Sequence, residues 1–321
     1  MDRLPGSARI ASIVAFVFAG LVILSGIFGS IVVLPEALIG IAAAIGIRRG
    51  RSWSAYGLAL FLLAQVAMLP FILMRGRVTD TVRGEAVLAA FLQATAGILL
   101  FAAGRSLSKA GGSEGSPLSW VIVTAAFTVP LFFVEAFVIP TSSMENTLLP
   151  GDRIFVQTFP RSTPHAGDVF ALVYPVDRKQ TFVKRIIGMP GDHIRISHKI
   201  LYRNGVQLNE PYIVHKTDYE DSYRDDFPSD PNVPVYPQAA AMLKSDVSNG
   251  ELVVPPGRYF VLGDNRDQSL DSRYWGFVSA ADLIGKPLFI YDSSDSSTQQ
   301  LTDETTFHRT HTRWNRLFKV L

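Results

Sequence analysis

Pro190-Gly-Asp-His-Ile-Arg-Ile196 places a Gly-Asp pair directly ahead of a short β-branched run, and the same arrangement stands twice upstream, as Pro150-Gly-Asp-Arg-Ile-Phe-Val156 and Gly167-Asp-Val-Phe-Ala-Leu-Val173. Proline pre-sets one φ and glycine supplies a positive φ at the next position, which suits the centre of a type II turn. The runs that follow are short, β-branched and aromatic, as strands are. Working outward, Asn204-Gly205 between Ile200-Leu-Tyr202 and Val206-Gln-Leu208 is a hairpin signal. Glu251–Val254 and Arg258–Leu262 flank Pro255-Pro-Gly257, and Leu283–Tyr291 closes the series. No helix-period run of comparable length competes, so this half is expected to be a mostly antiparallel β domain.

The chain has 321 residues, enough for about two domains. Residues 1 to about 140 are dominated by long apolar stretches, and the rest is mixed, with charges, turns and most of the prolines. The net charge of +2 is too small to imply nucleic acid. The absence of cysteine excludes a thiol nucleophile, a zinc-thiolate site and a disulfide framework. A spanning helix needs roughly 20 mostly apolar residues. By that measure Ile10–Leu34, Tyr56–Met74, Ala86–Ala103 and Trp120–Ile139 are expected spans, and Ala37–Ile47 is a shorter candidate, for about five in all. The expected organisation is a multi-span α-helical membrane region over 1–117, a last transmembrane helix over 118–140, a β domain over 141–291 and a flexible tail over 292–321.

Orientation follows from the basic loops. With five spans, Arg3 and Arg9, Arg48, Arg49 and Arg51, and Arg105 and Lys109 fall on the cytoplasmic side. Arg75, Arg77 and Arg83 fall outside, diluted by Asp80 and Glu85. The balance puts the β domain on the exported side of a bacterial inner membrane. No early span carries a charge at its centre, so an anchor or scaffold is expected rather than a transporter or proton relay. Glu135, the one acid in the last expected span, reads as interfacial.

Residues 213–249 interrupt the strand pattern with Asp218, Glu220, Asp221, Asp225, Asp226 and Asp230 and with prolines at 228, 231, 234 and 237. Their spacing fits no calcium loop, so an acidic, loop-rich surface insertion is expected. Asp292–Thr306 reads as polar and flexible. Arg313-Trp-Asn-Arg-Leu-Phe-Lys-Val-Leu321 mixes basic and apolar residues, which suits either a membrane surface or docking on the β domain.

Four residues past the last apolar run comes Ser143, in Ile139-Pro-Thr-Ser-Ser-Met-Glu-Asn-Thr-Leu148. A serine hydroxyl is a poor nucleophile until a base takes its proton. His165, His193, His198 and His215 have turn or surface contexts, as do His308 and His311 in the tail, and none suggests a triad. Lys184, in Thr181-Phe-Val-Lys-Arg-Ile-Ile187, alternates with Phe182 and Ile186 on one strand face. Burial among apolar groups lowers an amine's pKa from its ordinary ~10.4, and a neutral amine can accept the serine proton. An ordinary strand lysine facing water beside Arg185 is the competing reading, and spacing alone leaves both open.

At this point the residues resemble a family. Ile139-Pro-Thr-Ser-Ser-Met144 is similar to the nucleophile box of the type I signal peptidases, the membrane-bound Ser/Lys leader peptidases. Gly167–Pro175 resembles their next strand box, and Val183-Lys-Arg-Ile-Ile-Gly-Met-Pro-Gly-Asp192 their lysine box. Gly263-Asp-Asn-Arg-Asp-Gln-Ser-Leu-Asp-Ser-Arg-Tyr-Trp-Gly-Phe277 resembles the last box and is the most specific match. The boxes occur in family order from about 137 to 291. The resemblance implies Ser143 as nucleophile and Lys184 as general base. It implies an oxyanion hole of the Thr141 side chain and the Ser143 N–H, and Ser269 as the group orienting the lysine. Asp271 and Arg273 would be a supporting ion pair, Met144 would line the substrate pocket, and Gly263 and Asp264 would open the turn carrying the last box.

The chain departs from the family pattern at Asn146, where proline is usual, at Gln268, where asparagine is common, and in its number of leading spans. The implied activity is endoproteolysis of secretory signal peptides after small residues of Ala-X-Ala type. No metal or organic cofactor is implied. The implied partners are secretory preproteins, the lipid bilayer and the protein export machinery, with no nucleic acid. Two other readings are a regulatory or self-cleaving Ser/Lys protease with a specific membrane partner, and an inactive membrane-anchored scaffold or binding protein.

Overall fold

A computed structural model describes residues 5–28, 34–75, 80–111, 117–129, 133–301 and 304–321. The chain divides into two compact units, Met1–Phe132 and Phe133–Leu321.

The first unit is helical: α1 Gly6–Phe28, α2 Leu34–Arg48, α3 Ser52–Arg75, α4 Asp80–Lys109 and α5 Pro117–Thr128. Its interior is built from small residues such as Ala11, Ala15, Ala44, Ala55, Ala59 and Ala103 around Phe61, Leu62 and Leu100. Small side chains let helix backbones approach closely where helix exteriors are themselves apolar. At Gly57 on α3, an added Cβ would stand 2.0 Å from the Trp120 ring of α5. Ile10, Ile13, Leu60, Phe91, Ile98 and Phe101 point outward, the reverse of a water-soluble bundle. Among the described residues, Ser52–Pro70 and Ala90–Lys109 are long and apolar enough to cross a bilayer, and Gly6–Gly20 is apolar but shorter. The expected spans Ile10–Leu34 and Trp120–Ile139 run partly into 29–33 and 130–132, outside the described residues, as do Arg3 and Arg77 of the charge reading.

The stretch 118–140, expected as one helix, departs from that reading. Helix α5 ends at Thr128, and Val134–Val138 is strand β1. Hydropathy alone does not separate helix from strand. Val134, Phe137 and Val138 are β-branched or aromatic and find an antiparallel partner at 153–157, while Pro130 lacks the N–H to continue a helix.

The second unit is the expected antiparallel β domain. After β1 come β2 Asp152–Gln157, β3 Val169–Val173, β4 Thr181–Gly188, β5 His193–Ser197, β6 Ile200–Arg203 and β7 Val206–Gln207. Helix α6 Pro237–Ser245 leads to β8 Val247–Ser248, β9 Glu251–Val253 and β10 Arg258–Leu262. Helix α7 Ser272–Trp275 precedes β11 Val278–Ser279, β12 Leu283–Leu301 and β13 Glu304–Thr312. The larger sheet runs β1-β2-β12-β3-β4-β10-β11 with β13 paired to β12, and the smaller runs β7-β6-β5-β9-β8.

The three Gly-Asp turns share one construction. Gly151, Gly167 and Gly191 have φ of 87°, 91° and 89°, a region that favours glycine. In each, the aspartate carboxylate accepts the N–H three residues back: Asp152 from Leu149, Asp168 from His165 and Asp192 from Met189, all at 2.8 Å. The turn thus closes on itself before its strand begins. Asn204 and Gly205, at φ 54° and 75°, form the expected hairpin.

Two expectations for the polar segments need correction. The 213–249 insertion is not simply a solvated face: Tyr223 and Phe227 lie in a core with Leu252 and Phe260, and α6 adds Ala239 and Met242. Asp225 is buried with them, held by Arg224 at 2.7 and 2.9 Å. Two large aromatics outweigh the surrounding charge. The tail, expected to be flexible over 292–321, continues β12 to Leu301 and returns as β13. Its end docks on the β domain, with Phe318 N–H donating to Ile290 O at 2.7 Å and Leu321 N–H to Leu288 O at 3.2 Å. Polar alternation fills both strands of a hairpin as readily as a coil, and only the partner strand decides.

Asp152 anchors that end. It is fully buried, accepts from Arg316 at 2.6 Å and from Ser293 Oγ at 2.7 Å, and lies 3.6 Å from Arg313. Asp152→Ala strips two arginines of a buried carboxylate. It is expected to cost roughly 3 kcal/mol in urea unfolding and to expose 313–321 to limited proteolysis, whereas Arg153→Ala should leave the cleavage pattern unchanged.

Candidate active site

The end of β1 delivers the serine. Ile139 N–H donates to Asp152 O at 2.9 Å, and Gly151 N–H to Ile139 O at 2.8 Å, so the β1–β2 pairing persists to the edge of the Ser box. Pro140 and Thr141 lead into a 3-10 turn, Ser142–Met144, in which Ser143 and Met144 are buried. Leu148 N–H closes back on Met144 O at 2.7 Å, and Asn265 N–H holds the Ser143 carbonyl at 3.1 Å. Asn146, where the sequence departs from the family pattern, has φ 81°. Asparagine tolerates that left-handed region, whereas proline is locked near −65°.

Strand β4 delivers the lysine. Lys184 pairs with Phe170 of β3, and its Nζ lies 2.7 Å from Ser143 Oγ. The side chain is 3% exposed, so the reading of a strand lysine facing water does not describe it. Burial pulls the amine down to about 8, against the smaller upward pull of Asp271 and Asp264. That pull is weak because each carboxylate already has a guanidinium. Asp264 is gripped by Arg185 at 2.6 and 2.8 Å, and Asp271 by Arg273 at 2.8 and 2.9 Å. A carboxylate satisfied by an arginine has little left to hold a nearby ammonium charged.

Thr141 Oγ1 lies 3.2 Å from Ser143 Oγ. Asp271 is fully buried. Burial pushes its carboxyl up, but Arg273 beside it holds it below the usual carboxylate range. Asp271 also receives the Gly263 N–H at 3.1 Å, which ties the start of the last box to its middle. Ser269 is placed less simply than the resemblance implies. It stands beside the Asp271 carboxylate, which it helps to hold below the usual range, and its Oγ is packed where a Cβ on Gly263 would stand 2.2 Å away. Thr141, Ser143, Met144 and Lys184 line one cleft of about 310 Å³, while Asp271 and Arg273 lie beneath it.

The cleft lining includes the apolar Phe137, Val138, Ile139, Phe182, Val183 and Leu270. Two strand edges border it. Strand β1 pairs only with β2, and β4 pairs with β10 only from Arg185 onward, so among the described residues Thr181–Lys184 has no strand on that side.

The sequence reading missed Arg185 and Thr147. Arg185 Nη1 also donates to Gly167 O at 2.7 Å, its guanidinium lies 3.7 Å from the Tyr212 ring, and Thr147 Oγ1 donates to Asp264 at 2.5 Å. Strand alternation was the available signal: if Lys184 faces one side of a strand buried on both faces, Arg185 must face the other. Asp267 was also missed. It accepts from the N–H groups of Lys216 and Thr217 at 2.7 and 2.8 Å, strapping the insertion to the last box.

Gly263 is required by space. A Cβ there would stand 2.4 Å from the Ser143 carbonyl. Gly263→Ala is therefore expected to push the last box off the Ser143 turn. The expected result is a loss of about 1–3 kcal/mol of stability with a loss of turnover larger than that stability change explains, read from urea unfolding and single-turnover cleavage at a temperature where the variant is folded.

The chain is similar in sequence to known proteins. The family model for signal peptidase, peptidase S26, matches residues 116–291. A signal peptidase I of Buchnera aphidicola subsp. Acyrthosiphon pisum is 30% identical over 236 residues, covering 56% of this chain and 74% of the relative. One from Bacillus caldolyticus is 32% identical over 186 residues, covering 58% and 94%. A crystal structure of a signal peptidase I from Enterococcus faecalis is 35% identical, covering 39% of this chain and 97% of that one, with a TM-score of 0.30. With Ser143 and Lys184 brought together in one cleft, and a family match spanning more than half of the chain, the protein belongs to the signal peptidase family, peptidase S26.

Proposed function

We propose that the chain is a membrane-bound serine endopeptidase that removes signal peptides from secretory preproteins, with Ser143 as nucleophile and Lys184 as general base. The observation that carries this reading is the 2.7 Å approach of a buried, apolar-walled amine to a serine hydroxyl. Lowering the amine from 10.5 to about 8 raises its neutral fraction at pH 7 by roughly 300-fold. The neutral amine takes the Ser143 proton as Oγ attacks the scissile carbonyl. The ammonium then returns that proton to the leaving amine, and the acyl-enzyme is hydrolysed by water activated in the same way. The Thr141 hydroxyl and the Ser143 N–H are the proposed oxyanion donors, each worth roughly 3 kcal/mol in such sites. Ser269, Asp271 and Arg273 support the site from beneath, and Met144 lines the substrate pocket.

The open edges of β1 and β4 suit an extended substrate that adds main-chain hydrogen bonds to either side. The modest apolar cleft suits small residues before the cut, of Ala-X-Ala type. The helical unit is proposed to be a multi-pass anchor in the cell inner membrane, with the β domain on the exported side. Its outward apolar side chains support the anchor, and the basic Arg105 and Lys109 at the end of α4 support the orientation. A substrate held in the same bilayer gains effective concentration from such an anchor. The export machinery is a further proposed partner.

With a detergent-solubilised preprotein, Ser143→Ala and Lys184→Ala are expected to lower kcat by at least ~10³-fold with folding intact. Normal cutting by Lys184→Ala would overturn the base assignment. Activity is expected to rise with pH as the lysine loses its proton, with an apparent midpoint near 8. A lysine pKa below its ordinary value means the base is already active at a pH where a solvated lysine is not, so a midpoint near 10 would contradict burial. A periplasm-active reporter fused after Leu321 is expected to be active, and an inactive one alongside a functional cytoplasmic reporter would reverse the topology.

A further inference from the structure

Leu270 stands apart from its neighbours in the last box. Ser269, Asp271 and Ser272 are all buried, yet the Leu270 side chain between them is 44% exposed. It is not a stray surface leucine, because it lines the same cleft as Ser143 and Lys184. The same cleft is lined by Val138, 42% exposed on the edge strand β1. The backbone that carries Leu270 is fastened directly after it. Asp271 holds Gly263 N–H and Arg273, and Arg273 in turn donates to Arg266 O at 2.8 Å. The leucine is thus an exposed apolar side chain held on a fastened backbone, in the lining of the cleft that holds Ser143 and Lys184. Such a group is left without apolar cover until something enters the cleft.

We infer that Leu270 is a specificity-determining residue whose side chain forms the movable-size wall of the cleft and limits the bulk of the substrate side chain accepted beside the scissile bond. This rests on the peptidase reading above and adds a residue that touches substrate but takes no part in proton transfer. A hydrophobic pocket discriminates one methylene by roughly 10-fold or more, so trimming or enlarging this one wall must move the preference in opposite directions.

The test uses the full-length protein in detergent and a peptide series with Ala, Val or Leu placed in turn at −3, −1 and +1. Leu270→Ala is expected to raise kcat/KM for the Val or Leu peptide relative to the Ala peptide by about 10-fold at one of these positions. Leu270→Phe is expected to shift the ratio the other way at that same position, mainly through KM. Circular dichroism checks folding, and Leu270→Val and Leu270→Met replace either variant that does not fold. Unchanged ratios at all three positions, or a uniform loss across the series, would overturn the inference. Failure of the wild type to cut any peptide would instead strike at the peptidase reading, so the two outcomes are distinct.

Discussion

Taking the Lys184 amine out of water, against the Ser143 hydroxyl, is the constraint on which the rest of the second unit depends. An ammonium in that position lacks hydration and meets no unpaired carboxylate. Two acids do lie near enough to pull on it, Asp264 and Asp271. Burial outweighs their upward pull, and Arg273 adds to the lowering. Arg185 and Arg273 grip those acids in two-point contacts, so the charges nearest the amine are already paired.

That arrangement explains the density of backbone fastening around the cleft. The lysine strand, the serine turn and the last box come from distant parts of the sequence and must meet within a hydrogen-bond length. Asn265 N–H holds the Ser143 carbonyl, Thr147 reaches Asp264, and Arg185 spans from Asp264 to the Gly167 carbonyl. Gly263 makes room for the approach. The insertion is strapped to the last box where Lys216 and Thr217 donate to Asp267, and it fills its own core with Tyr223 and Phe227, while Glu210, just ahead of it, pairs with Arg266 at 2.5 Å. Positioning of this kind is what allows a weak nucleophile and a weak base to act together.

The helical unit solves a different problem. Its interior mixes many alanines with Leu58, Phe61, Leu62, Leu100 and Leu107, and large apolar groups also stand on its exterior. The alanines let the helix backbones approach closely. The same chain therefore follows two packing rules, and the change occurs between Thr128, where helix α5 ends, and Val134, where strand β1 begins.

The sequence by itself determined the strands that local chemistry marks. The three Gly-Asp turns, the Asn204-Gly205 hairpin and the serine and lysine boxes were all legible, because turn glycines, β-branched runs and box motifs act over a few residues. What it could not determine was anything decided by a distant partner. The segment Val134–Val138 is strand because Asp152–Gln157 lies beside it, and Asp292–Leu301 is strand because β2 and β13 flank its two ends. Nearby residues alone left Lys184 equally free to face water. Only the packed fold, which sets Phe170 opposite it, Phe182 5.5 Å from its amine and arginines on the neighbouring acids, removes the water that would otherwise keep it charged. Desolvation is a property of everything that surrounds a group, and no short stretch of sequence contains it.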